Sequence, residues 1–257
     1  WGMKNRLARI IRPTTGRTLM FAVDHGYFMG PTSGLEKLDE TVRPLVKYAD
    51  TLMLTRGALR YYVSAETDVP IILRVSGGTS ILNKKLLHEG ITVSIEDAIR
   101  LNVSAVAFSI MVGAEYERDT LLAFTNVVDQ AERYGIPTLA VTAVGKEMVR
   151  DTKYLSLASR IAAELGARMV KTYFCEGFEK VVESCPVPIV IAGGKKIPEK
   201  DALQMAYEAV QAGASGVDMG RNIFQADAPL AMVQAVRSIV QEDASAVAAF
   251  ELYNDLK

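Results

Sequence analysis

Cysteine and histidine are scarce in this chain, with two of each among 257 residues. Cys175 and Cys185 are too few and too poorly grouped for a disulfide framework or a structural zinc site, so reduced thiols in the cytoplasm are expected. Two histidines without clustered carboxylate spacing give a weak ligand inventory, and no metal is expected. An excess of one charge is also lacking: 29 Lys and Arg balance 30 Asp and Glu, which leaves no electrostatic footprint for nucleic acid or an anionic membrane. No run approaches the roughly 18 to 20 apolar residues of a membrane span. The opening WGMKNRLARI has no apolar centre of a signal peptide, and tryptophan at position 1 reads as a start inside a longer gene product. No GxGxxG fingerprint occurs, which weakens an open dinucleotide-binding sheet.

What is present is repetition. Eight short apolar runs end in polar or glycine-containing residues. The first four are TLMFAVDHG from 18, TLMLTRG from 51, VPIILRVSGG from 69 and AVAFSIMVG from 105. The second four are PTLAVTAVGK from 137, MVKTYF from 169, VPIVIAGGKK from 187 and GVDMGRN from 216. Amphipathic segments of helical spacing lie between most of them, such as TLLAFTNVVDQAERYG, SLASRIAAELG and EKDALQMAYEAVQAG. Gly135, Gly166 and Gly213 each follow a helical run, where a left-handed terminus favours glycine, and Ser94 with Asp97 reads as a capping box. Strands apolar on both faces, eight in number, predict an α/β fold: one (β/α)8 TIM barrel over residues 1–257. The tail ASAVAAFELYNDLK predicts an additional C-terminal helix, beneath the barrel or on a neighbouring subunit. NKKLLHEGITVS has no single assignment.

Catalytic groups in such a barrel gather at the carboxyl ends of strands, which collects Asp24, His25, Arg56, Ser76, Glu115, Lys146, Lys171, Lys195 and Arg221 as a rim. Lys171 stands out because it interrupts a buried strand. Burial disfavours an ammonium, and a lysine freed of its proton is a competent nucleophile toward a ketone. The competing reading is a structural lysine paired to a carboxylate or snorkelling to the rim. Gly193, Gly194, Gly220 and Arg221 end two adjacent strands and suit a phosphate, with Lys195 or Lys196 as added charge; for a lone Gly-Gly the alternative is a tight turn. Asp24 and His25 can move protons, orient the lysine or hold a substrate hydroxyl; otherwise they form a hydrogen-bonded strand terminus. His88 reads as structural or surface, and Cys175 as an ordinary thiol without an activating histidine motif.

AVDHG, MVKTYF, VPIVIAGGKK and SGVDMGRNIFQ, in this order, resemble the archaeal-type class I aldolase family that includes fructose-bisphosphate aldolase. The resemblance implies that Lys171 forms a Schiff base, that Asp24 assists proton transfer, and that Gly193, Gly194, Gly220 and Arg221 hold phosphate. One departure matters. The family's aldolases typically end the fifth strand with a motif like W/M-x-Y-P-R-G, whose tyrosine donates a proton, whereas this chain has TAVGKEMVRD. FAVDHGYFMGPTSGLE, VTAVGKEMVRD and AGGKK with DMGRNIFQ look instead like the family's thiolases of autoinducer-2 degradation, nearly end to end. That likeness implies acetyl transfer from 3-hydroxy-5-phosphonooxypentane-2,4-dione to coenzyme A as cosubstrate, with no cofactor required. Asp24 and His25 become candidates for activating the thiol, with Lys146 and Arg150 near the cosubstrate. The family also implies a homo-oligomer, with a tendency toward decamers built from rings. A sugar-phosphate aldolase and a noncatalytic binder of a phosphorylated signal remain the alternatives.

Overall fold

In the computed structural model, which describes residues 1–83, 88–143 and 149–257, each apolar run contributes one strand of a barrel. The strands are β1 (Thr18–Ala22), β2 (Thr51–Thr55), β3 (Ile71–Arg74), β4 (Ala105–Ile110), β5 (Thr138–Thr142), β6 (Met169–Tyr173), β7 (Ile189–Ala192) and β8 (Gly216–Met219). They pair in parallel in chain order, and β8 closes onto β1 through Thr18↔Gly216 and Phe21↔Met219. At that seam Gly216 takes φ +123°, and a Cβ there would lie 1.9 Å from the Thr18 carbonyl oxygen, so the closure needs glycine.

Strand geometry sends alternate side chains to opposite faces. One phase, including Leu19, Phe21, Phe108, Val170 and Val217, joins helix residues such as Phe124 and Leu155 in the large core between barrel and helices. The other phase fills the barrel itself with Met20, Met53, Ile72, Ala107, Leu139 and Met169. The floor of this inner core is Ile10, from the N-terminal helix Gly2–Ile10. Truncating Ile10 to Ala would leave an uncollapsed hole worth about 2–4 kcal/mol.

The predicted amphipathic helices are Glu117–Arg133, Thr152–Glu164, Glu199–Gln211 and Pro229–Glu242. Gly135, Gly166 and Gly213 all have positive φ, as their placement after helices requires. Ser94 accepts a hydrogen bond from the Asp97 amide at 3.2 Å. The Asp97 carboxylate, however, turns to Arg56, Arg60 and Arg100 rather than completing a capping box. The tail forms the helix Ala246–Leu256, packed against Glu199–Gln211 and Pro229–Glu242 on the flank. It therefore does not lie beneath the barrel; that place belongs to the N-terminal helix. The unassigned stretch contributes Gly90–Ile91, antiparallel to Ser76–Gly77, above β3.

Candidate active site

A cavity of about 240 Å³ opens at the carboxyl ends of the strands, and the inward phase that is apolar below becomes polar here. Asp24, His25, Lys171, Gly193, Gly194, Gly220 and Arg221 all line it. So do Tyr27, Arg74, Glu89, Ser109, Tyr173 and Asp218, which strand-end reasoning passed over.

Lys171 rises from β6 above the inner core, its Nζ 4.0 Å from Met53 Sδ. Nζ stands 2.9 Å from Asp218 Oδ2 on β8. The carboxylate-paired geometry of the structural alternative is therefore present, but inside the cavity rather than away from it. Burial pushes the Asp218 carboxyl above the usual carboxylate range, against the opposing pull of Lys171.

Asp24 has the opposite environment. Burial alone would raise its pKa, but Arg74, Lys171 and His25 together hold it below the usual range. Arg74 Nε donates to Asp24 Oδ2 at 2.9 Å, and its Nη2 lies equally close. The other arm of that buried guanidinium donates to Ser109 at 2.6 Å and Ser76 at 3.3 Å. Ser76 and Tyr27 both donate to Glu89, each at 2.6 Å, so the wall is a continuous polar network.

The His25 imidazole packs edge-on against Phe224, with ring centroids 5.5 Å apart, and its Nδ1 is 3.9 Å from Asp24 Oδ1. Burial drives its pKa down to about 4; Asp24 opposes the shift, while Lys171, Arg221 and Arg74 add to it. It is thus a neutral ring at neutral pH, able to accept a hydrogen bond on its unprotonated nitrogen.

Across the cavity, β7 and β8 end in the glycine segment. Gly194 has φ +70°, and a Cβ on Gly220 would meet the Ala22 carbonyl oxygen at 2.4 Å and His25 Cε1 at 2.6 Å. Asn222 fixes the two ends together: its Nδ2 donates to Gly193 O at 2.6 Å, and its Oδ1 accepts from the Ile197 amide at 2.9 Å. Arg221 Nε is buried without a hydrogen-bond partner among the described residues. Burial also lowers the pKa of this guanidinium; Tyr173 opposes that effect and Arg150 adds to it. An anion would supply both an acceptor and a countercharge. Arg150 lies over the Tyr173 ring at 3.6 Å, a second cation on this side.

Several rim residues do not join the site. Arg56 is held by Asp97 on the flank at 2.9 Å, and Lys196 turns to Glu199 and the Ile197 carbonyl. Lys195 is exposed, Glu115 does not line the cavity, and Ser76 acts behind Arg74. Lys146 lies outside the described residues. His88 stacks on Tyr116 at 4.0 Å in an exposed position. Cys175 and Cys185 are free and buried, and burial pushes both thiols up, so neither is primed as an acyl carrier. Among the described residues no group of three or more His, Cys, Asp or Glu could hold a metal ion, and no helix is long and apolar enough to cross a membrane.

A buried lysine paired with a carboxylate, in one cavity with the glycine segment at the mouth of a closed parallel barrel, is an arrangement suited to a Schiff-base-forming enzyme of the aldolase type. Residues 18–226 match the DeoC/LacD family aldolase, and the chain belongs to that family. It is 57% identical over 254 residues to a 3-hydroxy-5-phosphonooxypentane-2,4-dione thiolase of Yersinia pseudotuberculosis serotype O:1b, covering 98% of this chain and 87% of the relative. It is also similar to an archaeal fructose 1,6-bisphosphate aldolase, with TM-score 0.84, 25% identity, and coverage of 93% of this chain and 98% of the other. A further archaeal fructose-1,6-bisphosphate aldolase, whose catalytic lysine is covalently bound to the carbinolamine intermediate of the substrate, superposes with TM-score 0.81 at 25% identity over 93% of this chain and 99% of that one.

Proposed function

We propose that this protein is a thiolase that transfers the acetyl group of 3-hydroxy-5-phosphonooxypentane-2,4-dione to coenzyme A through a Schiff base on Lys171. The observation that carries the reading is the placement of Lys171 in the same cavity as Gly193, Gly194, Gly220 and Arg221, whose Nε has no hydrogen-bond partner among the described residues. The likeness to the Yersinia thiolases supplies the substrate.

The chemistry follows from the atoms. The phosphate seats against the glycine segment and Arg221, which brings the adjacent ketone toward Lys171. The Nζ adds to that carbonyl carbon, and loss of water gives an iminium. The coenzyme A thiol, giving its proton to a base, attacks the acetyl carbonyl, whose electron pair moves onto oxygen. When that pair returns, the carbon–carbon bond breaks and its electrons enter the iminium, leaving acetyl-CoA and an enamine. Protonation and hydrolysis release dihydroxyacetone phosphate and restore Lys171. Neutral His25 offers a hydrogen-bond acceptor to the thiol, and ionised Asp24, held by Arg74, positions the substrate hydroxyl. Arg150 on Tyr173 offers a cation to the phosphates of the cosubstrate.

An assay of the purified protein with the phosphorylated dione tests this reading: acetyl-CoA appears only when coenzyme A is present, and Lys171→Ala abolishes it. Turnover without coenzyme A, or cleavage of fructose 1,6-bisphosphate instead, supports a sugar-phosphate aldolase. That reading has one observation in its favour: Tyr27 and Tyr173 line the cavity although β5 brings no tyrosine there. The proposal extends to residues 1–257 acting as one catalytic unit in the cytoplasm and to a homo-oligomer, a decamer in the family pattern. Light scattering of the purified protein checks the assembly.

A further inference from the structure

Two carboxylates face Lys171, and they differ in what else they touch. Asp24 is committed to Arg74, whose Nε and Nη2 both lie 2.9 Å from its Oδ2. Asp218 has a side chain with no exposed surface, and its Oδ2 is 2.9 Å from Nζ. Yet apart from the Lys171 ammonium, neither Asp218 oxygen has a hydrogen-bond donor among the described residues. A fully buried carboxylate with a single ammonium as its partner is a high-energy arrangement that protonation relieves.

We propose that Asp218 is the proton carrier for Lys171, a catalytic residue of the Schiff-base steps that rests on the thiolase reading above. Its Oδ2 takes a proton from the ammonium, leaving a free amine and a neutral carboxylic acid. The amine lone pair forms the C–N bond, the carbonyl π pair moves to oxygen, and the nitrogen's proton passes to that oxygen. The resulting carbinolamine hydroxyl receives the proton from Asp218 and leaves as water as the C=N bond forms. Lysine ammonium and ketone have then become iminium and water, with the Asp218 carboxylate beside the new cation. Asp24 cannot take this part while Arg74 holds it ionised, and the two environments push the two carboxyls in opposite directions, Asp24 down and Asp218 up. The charged groups acting on Asp218 are Lys171 from β6, Asp24 beyond β1 and Arg74 from β3.

The test is the rate at which dihydroxyacetone phosphate and cyanoborohydride convert the protein to its reduced adduct, measured from mildly acid to mildly alkaline pH. Asp218→Asn is expected to slow trapping about 100-fold or more at every pH, flattening the wild-type profile while the melting transition stays cooperative. Trapping at the wild-type rate with the wild-type profile overturns the proposal. So does faster trapping at acid pH, because a carboxylate that merely paired with the ammonium would, once removed, leave more free amine there. Asp218→Ser gives the same decision if the Asn variant does not fold. Wild-type protein that forms no adduct defeats the thiolase reading itself, a result distinct from an adduct that ignores Asp218.

Discussion

Asp50 and Asp218 are both buried aspartates of this barrel, one at each end, and their surroundings are opposite. Asp50, just before β2 at the amino end of the barrel, accepts from Arg12 Nε at 2.5 Å, the Leu19 amide at 2.8 Å, Gln241 Nε2 at 2.6 Å and Arg237 at 3.4 Å. Asp218, at the carboxyl end, has the Lys171 ammonium and no other donor among the described residues. A buried charge that serves stability collects partners until its lone pairs are used. A buried charge whose protonation state must change is left short of them, and the stability of the other end supports it.

This contrast is open to direct attack. The largest effect on folding is expected at the satisfied end: Asp50→Ala leaves the Leu19 amide without its acceptor and two arginines without their countercharge, a loss of about 3–4 kcal/mol. Urea unfolding measures it, and a loss near zero would erase the distinction. Substitution of Asp218 by Asn should shift the same transition far less.

Next comes the acid side of the stability curve. The His25 pKa falls from 6.5 to about 4 on folding, so between those values the unfolded chain takes up a proton that the folded chain refuses. Stability contributed by the neutral ring is therefore complete above about pH 6.5 and lost as pH falls toward 4, a loss of about 3 kcal/mol. Asp24, held below its ordinary value, loses its contribution only at more acid pH, and Asp218, raised, works in the opposite sense as pH increases. The difference between wild type and His25→Gln isolates the imidazole: the variant's melting temperature should fall less between pH 6.5 and 4.

A smaller effect is expected at the proposed phosphate site. Arg221→Ala removes one charge-assisted contact, about 2 kcal/mol, and should raise KM for the phosphorylated dione roughly 30-fold, with less change in kcat. The smallest belongs to Asn222→Ala, which loosens the β7 segment by breaking the bonds to Gly193 O and the Ile197 amide. About 1–2 kcal/mol of stability and a several-fold rise in KM should follow, both visible in one preparation.

The barrel was legible because strands covered on both faces need continuous apolar runs, and each such run is a strand. Lys171 was legible for the same reason, as a charge inside one of them. Arg74 and Asp218 lie in equally apolar runs, VPIILRVSGG and GVDMGRN, but a reading that gathered strand-terminal polar residues chose Ser76 and Arg221 from those runs. Counting by two from the inward residues reaches the first of them: Ile72 precedes Arg74 as Met169 precedes Lys171, and Ala107 precedes Ser109, whereas Gly216 gives no such lead to Asp218. Arg56 shows the converse, since a strand end alone did not aim its side chain into the mouth. Glu89 comes from a stretch without period, and only the pairing of Gly90–Ile91 with Ser76–Gly77 brings it over the cavity. The tail's helix was readable from composition, but its position was not, because the surface that receives it is built from Glu199–Gln211 and Pro229–Glu242, distant along the chain.

The proposed reaction joins the amine of Lys171 covalently to the substrate ketone. Borohydride reduction of the protein with dihydroxyacetone phosphate, followed by digestion and mass spectrometry, examines that bond itself. The expected result is one reduced adduct, on the peptide containing Lys171 and absent from Lys171→Ala. An unmodified Lys171 peptide, or an adduct that persists in the alanine variant, would contradict it.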